Sequence, residues 1–211
     1  MRKILAIAVV AALFAAGTAE AQAPAKSESG FTMGLRLGYA IPMGDAAGLA
    51  TMDDFFGGSV PLWVDLGYRI DRSMFIGAYL QYAFGTVGDP FNATCTASGI
   101  DCSASTLRIG AEFLYKFMPD ASFAPWVGVG IGYEVTSITA SVAGASASTD
   151  FSGFEFVNLQ LGGDFKVGSN FALGPYVALS VAQYSTVAGA TGFSKGTHEW
   201  LQFGLKGTFD L

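Results

Sequence analysis

The stretch VPLWVDLGYRI, residues 60–70, decides the fold. Val60, Leu62, Val64, Leu66, Tyr68 and Ile70 are apolar, and between them stand Pro61, Trp63, Asp65, Gly67 and Arg69. Side chains of a β-strand alternate between two faces, so one face here is wholly oily while the other carries an acid, a base and an indole. A helical period of 3.6 would mix the two sets around the cylinder. Upstream, Met33, Leu35, Leu37, Tyr39 and Ile41 alternate with Thr32, Gly34, Arg36, Gly38 and Ala40, and the two segments share the echo LRLGY and VDLGY.

The same period recurs downstream, giving eight segments of about ten residues. The third carries Met74, Ile76, Ala78, Leu80, Tyr82 and Phe84 on its oily face; the fourth carries Leu107, Ile109, Ala111, Phe113, Tyr115 and Phe117, opposite Arg108, Glu112 and Lys116. The fifth sets Phe123, Val127, Val129, Ile131 and Tyr133 against Trp126 and Glu134. The sixth sets Val157, Leu159, Leu161, Phe165 and Val167 against Asn158, Gln160, Asp164 and Lys166. The seventh, Phe171 to Val181, is interrupted by Pro175, which removes a ladder hydrogen bond and calls for a bulge beside Gly174. The eighth sets Leu201, Phe203, Leu205, Phe209 and Leu211 against Gln202, Gly204, Lys206 and Asp210.

The linkers alternate as well. Asp71-Arg72, Pro119-Asp120-Ala121 and Gly168-Ser169 are tight turns, whereas 42–58, 87–104, 136–153 and 185–197 are expected to be long loops rich in small and acidic residues. Eight strands joined by short turns at one end and long loops at the other describe an antiparallel up-and-down transmembrane β-barrel, with four long extracellular loops and three short periplasmic turns. A soluble barrel of the lipocalin kind would need the opposite polarity, with water outside and an apolar interior. Here Arg36, Asp65, Arg69, Arg108, Glu112, Lys116, Glu134, Asp164, Lys166, Lys206 and Asp210 all fall on the non-apolar face. A Lys or Arg on the lipid face near the bilayer midplane would cost about 2–4 kcal/mol, which explains the exclusion. Tyr and Phe gather at both ends of the oily face, as interfacial girdles require.

Composition agrees: 51% hydrophobic and 14% aromatic against 13% charged, with 28 glycines. A net charge of -6 with no basic stripe argues against nucleic acid, and two cysteines with one histidine leave little for a metal site. No metal and no cofactor is expected. At the start, Arg2 and Lys3, the apolar run Ile4 to Ala16 and the small residues around Glu20 and Gln22 form a signal peptide, cleaved after Ala21 or after Ala23. The expected organisation is a signal peptide at 1–21, a short periplasmic segment at 22–30 and the barrel at 31–211.

On these strands and linkers the chain resembles the small eight-stranded outer-membrane barrels, the group of the OmpA membrane domain, OmpX and OmpW. The resemblance covers the whole mature chain and carries no diagnostic motif. It implies an outer-membrane setting in a Gram-negative bacterium, contact with lipid and lipopolysaccharide, and recognition by the barrel-assembly machinery. Members usually end on an aromatic residue, whereas this chain ends Phe209-Asp210-Leu211.

The inward charges, six basic and five acidic, nearly balance and are expected to form an ion-pair network filling a narrow lumen. A polar conduction path is the alternative; Trp63, Phe75, Tyr79, Trp126, Tyr176 and Trp200 would obstruct it, and the inward glycines would leave space. Cys95 and Cys102 close a short ring and are expected to form a disulfide in the second long loop. His198, beside Glu199 and near Ser194, invites comparison with acyl-transferring enzymes, but it lacks the spacing of an oriented base and reads as a solvated loop residue. Asp45, Asp53, Asp54, Asp89, Asp101 and Asp150 make the loops acidic without a calcium-loop spacing. The functional expectation is a non-enzymatic structural or surface-interaction barrel; the alternative is a narrow channel, or a conduit that releases small apolar molecules sideways near Pro175.

Overall fold

The computed structural model describes residues 29–47, 50–187 and 195–211. The expected signal peptide, nearly all of the segment at 22–30, and Ser194 lie outside the described residues. The strands are β1 (Gly30–Ala47), β2 (Ala50–Thr51), β3 (Phe56–Arg69), β4 (Met74–Val87), β5 (Asp101–Lys116), β6 (Phe123–Val142), β7 (Ala145–Lys166), β8 (Phe171–Val187) and β9 (Thr197–Asp210). Two helices interrupt them, α1 (Met52–Phe55) and α2 (Asp89–Ala97). No described helix is long and apolar enough to cross a membrane.

Leaving aside the two-residue β2, eight strands pair in sequence order, all antiparallel, and β1 pairs with β9 from Thr32↔Asp210 to Gly44↔His198, so the sheet closes on itself. Closure pairs both edges of each wall strand. Within β3, Val60, Leu62, Leu66 and Tyr68 are exposed while Trp63 and Asp65 are buried, so the side on which the charges sit is the inside. At the β3–β4 turn the Asp71 carboxylate accepts the backbone N–H groups of Ser73 at 2.7 Å and Met74 at 2.8 Å, satisfying donors that the ladder leaves free.

The segments read as loops differ from one another. Residues 136–153 are not a loop: β6 and β7 continue as a ladder up to Val142↔Ala145 and turn through Ala143 and Gly144, both at positive φ, as a tight two-residue hairpin turn requires. Ser137 donates to Asp150 at 2.6 Å, and Thr139 and Ser148 are linked at 2.9 Å, so polar pairs line this extension and no apolar period marks it. Residues 42–58 hold the end of β1, then β2 and α1, with the Asp54 carboxylate accepting the Thr51 N–H at 3.0 Å and its hydroxyl at 2.9 Å. Residues 87–104 hold α2 and the start of β5, joined by the Cys95–Cys102 disulfide with a Cα–Cα distance of 6.1 Å.

Pro175 is accommodated without the expected bulge. It pairs with Leu205 on β9, and on the β7 side the register is the same at Gly162↔Tyr176 and Phe165↔Leu173. The two strands run so close here that a Cβ at Gly174 would collide with the Gly163 carbonyl, so glycine at 174 lets the backbone stay in line. The irregularity of β7 lies instead between Glu155 and Val157, where Glu155 pairs with Ala182 and Val157 with Val181.

Candidate functional site in the barrel lumen

The lumen is built from inward residues of all eight wall strands, and side chains fill it apart from a small cavity at the turn end. Arg36 on β1 is buried near the middle: Nε donates to Asp65 Oδ2 at 2.8 Å, Nη1 to Gln160 Oε1 at 2.7 Å, and Nη2 to Glu112 Oε2 at 3.1 Å. Gln160 Nε2 donates to the same Glu112 oxygen at 2.9 Å, so one guanidinium ties β1 to β3, β5 and β7. Its Cζ stands 4.2 Å from the Trp63 ring centroid and 5.6 Å from those of Trp126 and Tyr176. A guanidinium presents donors in a fixed fork and stacks on aromatic faces, both of which are used here.

A second cluster lies nearer the loop end. Arg108 Nε donates to Glu134 Oε2 at 2.6 Å. Glu134 Oε1 meets Tyr184 Oη at 2.8 Å, Thr136 Oγ1 at 3.1 Å, His198 Nε2 at 3.1 Å and Trp200 Nε1 at 3.3 Å. A carboxylate removed from water must be compensated by pairing and hydrogen bonds, and Glu134 gathers five contacts from five residues. Above it, Met52, Phe56, Phe151, Tyr184 and Trp200 form an apolar cluster that closes the loop end.

His198 is therefore a lumen residue and not the solvated loop histidine read from sequence. It is 0% exposed and stacks on Tyr184 with ring centroids 4.1 Å apart. The reason is phase: β9 starts at Thr197, so His198 shares the inward face with Trp200 and Gln202.

Glu155 was missed by the strand reading. In register with Val157, Leu159 and Leu161 it would face outward; the irregularity at Phe156 and Val157 turns it inward, where it is fully buried, accepts a hydrogen bond from Tyr79 and takes Asn158 Nδ2 at 2.9 Å. The signal was the pair Phe154 and Phe156, aromatics flanking an acid in the opposite phase from the strand that follows. Tyr79 also uses the space that inward glycines were expected to leave empty. A Cβ at Gly110 or Gly132 would strike its ring or hydroxyl, so these glycines make room for the tyrosine.

At the turn end Arg69 pairs with Asp210, and Lys116 Nζ lies 2.8 Å from Asp164 Oδ2, while Trp126 Nε1 donates to Asp164 Oδ1 at 3.0 Å. Lys206 Nζ is 3.6 Å from Asp65 Oδ2. These groups surround a cavity of about 50 Å³ open at that end. Of the eleven charges read as a lumen network, Lys166 is exposed, at the last position of β7. The other ten are brought together in the clusters just described.

The comparisons agree with this architecture. The family model "Outer membrane protein beta-barrel domain" matches residues 8–206. No curated protein matches the sequence. Among solved structures, Neisserial surface protein A is 13% identical and superposes with a TM-score of 0.56, covering 88% of this chain and 100% of its own. The outer membrane protein AlkL, determined in DMPC bilayers, is 16% identical with a TM-score of 0.50, covering 93% of this chain and 97% of its own. OprG from Pseudomonas aeruginosa is 14% identical with a TM-score of 0.46, covering 87% and 98%. At such identities the property shared with Neisserial surface protein A and AlkL is the fold. With a closed eight-stranded sheet and a family match over nearly its full length, the chain belongs to the outer membrane protein β-barrel domain family and is a protein of the Gram-negative outer membrane.

Proposed function

We propose that this barrel is a closed-lumen outer-membrane protein whose wall is structural and whose loop end makes surface contacts, and that it is neither a channel nor an enzyme. The observation that carries the reading is the double closure of the loop end: Glu134 with its five partners, and above it the apolar cluster of Met52, Phe56, Phe151 and Trp200. An eight-stranded barrel has an interior just wide enough for side chains, and here rings and ion pairs occupy it. His198 is engaged with Glu134 and enclosed, which leaves it unsuited to act as a base on an acyl group. In this reading the tight turns and both chain ends face the periplasm, the mature chain begins after Ala21 or Ala23, and the assembly machinery engages β9 through Phe209. The exposed apolar belt faces acyl chains, and the hairpin of β6 and β7 stands above it in lipopolysaccharide or beyond.

The sideways conduit near Pro175 is the weaker reading, because β7 and β8 are in close backbone contact at Gly163 and Gly174. Planar-bilayer recording of the purified barrel tests the proposal. The wild type is expected to give no unitary steps, while Glu134→Ala and Phe56→Ala combined with Arg36→Ala, which also removes the plug in the middle of the lumen, give measurable leak. Steady conductance of the wild type, or uptake of small apolar solutes into liposomes that depends on the barrel, would overturn it.

A further inference from the structure

The lumen matches its charges unevenly, and the mismatch sits in the turn-end cavity. Arg36, Arg108 and Lys116 each have a carboxylate oxygen within 2.8 Å. Lys206 does not: it is 4% exposed, its nearest carboxylate oxygen is Asp65 Oδ2 at 3.6 Å, and that oxygen already takes Arg36 Nε at 2.8 Å. Its other close contact is the Trp126 ring, with Nζ 4.5 Å from the centroid. An ammonium carries three donors and no acceptor, so this buried group faces the cavity with donors that the described residues do not use.

Four cationic side chains line the cavity, Arg69, Arg72, Lys116 and Lys206, and of these Arg72 is paired outside it with Asp120 at 3.1 Å. Three carboxylates also line it: Asp65 takes Arg36 on Oδ2 while its buried Oδ1 has no hydrogen-bond partner among the described residues, Asp164 takes Lys116 and Trp126, and Asp210 takes Arg69 and Thr32. Phe75, Leu114 and Trp126 supply apolar wall, which lowers the local dielectric and strengthens any ionic contact made there. A volume of about 50 Å³ corresponds to roughly three or four water positions, the space of a small charged head group.

We propose that the turn-end cavity is a binding site for a small oxyanion, a carboxylate or phosphate group, held by Lys206 against the Trp126 face. Lys116 and Arg69 at the rim draw the anion in, and Lys206 at the floor supplies the donors. The site is blind, because the Arg36 cluster closes it from above, so the anion enters and leaves by the turn end. The same chemistry is offered by a free anion and by the phosphate of a phospholipid of the adjoining leaflet.

Trp126 is the reporter. With the wild-type barrel in maltoside micelles, the indole N–H resonance of Trp126 is followed by NMR while inorganic phosphate, acetate or phosphatidylglycerol is added, each against chloride at matched ionic strength. A saturable shift with phosphate or acetate is expected for a free-anion site, and one with the lipid alone for a head-group site. Either shift is lost in Lys206→Met and kept in Lys166→Met. Absence of a saturable shift with all three probes in the wild type, an equal shift with chloride, or survival of the shift in a folded Lys206→Met barrel would overturn the proposal.

Discussion

The two ends of the lumen are lined by similar residues and solve the burial of charge differently. At the loop end, Glu134 and Arg108 are wholly enclosed, every close partner is short, and an apolar cluster seals them. At the turn end, Lys116 is 28% exposed and Arg69 15%, Lys206 is loosely paired, and a cavity opens outward. An enclosed charge that loses its partner has no water to fall back on, whereas a rim charge does. The inside of one barrel is thus a gradient from enclosed to open, with buried atoms lacking hydrogen-bond partners among the described residues at both ends, Arg108 Nη1 and His198 Nδ1 at the first and Asp65 Oδ1 at the second.

The largest effect is expected where that contrast is sharpest. Glu134→Ala leaves Arg108 buried and unpaired and should cost about 3–5 kcal/mol, read as a lowered urea midpoint for unfolding in detergent or lipid. Cys95→Ser with Cys102→Ser releases α2 from β5 and should cost about 2–3 kcal/mol or less, with the strand signal unchanged in circular dichroism. At the rim, Lys116→Met should cost less than Glu134→Ala, because the buried Asp164 it leaves behind keeps the Trp126 N–H and lines a cavity open to water. Equal costs for Glu134→Ala and Lys116→Met would erase the gradient. Smallest of all is the expected effect of deleting Val157: it removes the irregularity of β7 while leaving Glu155 and Asn158 in the same inward phase, so the barrel should still fold and show heat-modifiable mobility on gels.

What the sequence made legible follows the same physics. Val60 to Ile70 and Met33 to Ile41 read cleanly because one face meets lipid and the other the lumen, so each residue type is forced. The hairpin at 136–153 did not, because its outer parts expose Ser, Thr and Ala on both faces and no period is imposed. Glu155 was hidden by a single extra residue that shifts the phase, and His198 by its place at the first turn of a strand whose start the neighbouring small residues concealed. The inward set of charges was readable from alternation, but their partners were not. Arg36 meets Asp65, Glu112 and Gln160 from three other strands, and which residues share a level depends on the stagger of the closed sheet, a property of the whole ring.

Sidedness underlies all of this, and the tryptophans test it. Trp63, Trp126 and Trp200 are each at most 2% exposed and lie inside the wall, whereas Leu62, the neighbour of Trp63, is 49% exposed on the outer face. With the barrel in bilayers containing lipids brominated along the acyl chains, the native fluorescence should be weakly quenched, and Leu62→Trp in a background with all three tryptophans replaced by Phe should be strongly quenched. Strong quenching of the native tryptophans together with weak quenching of Leu62→Trp would contradict the account.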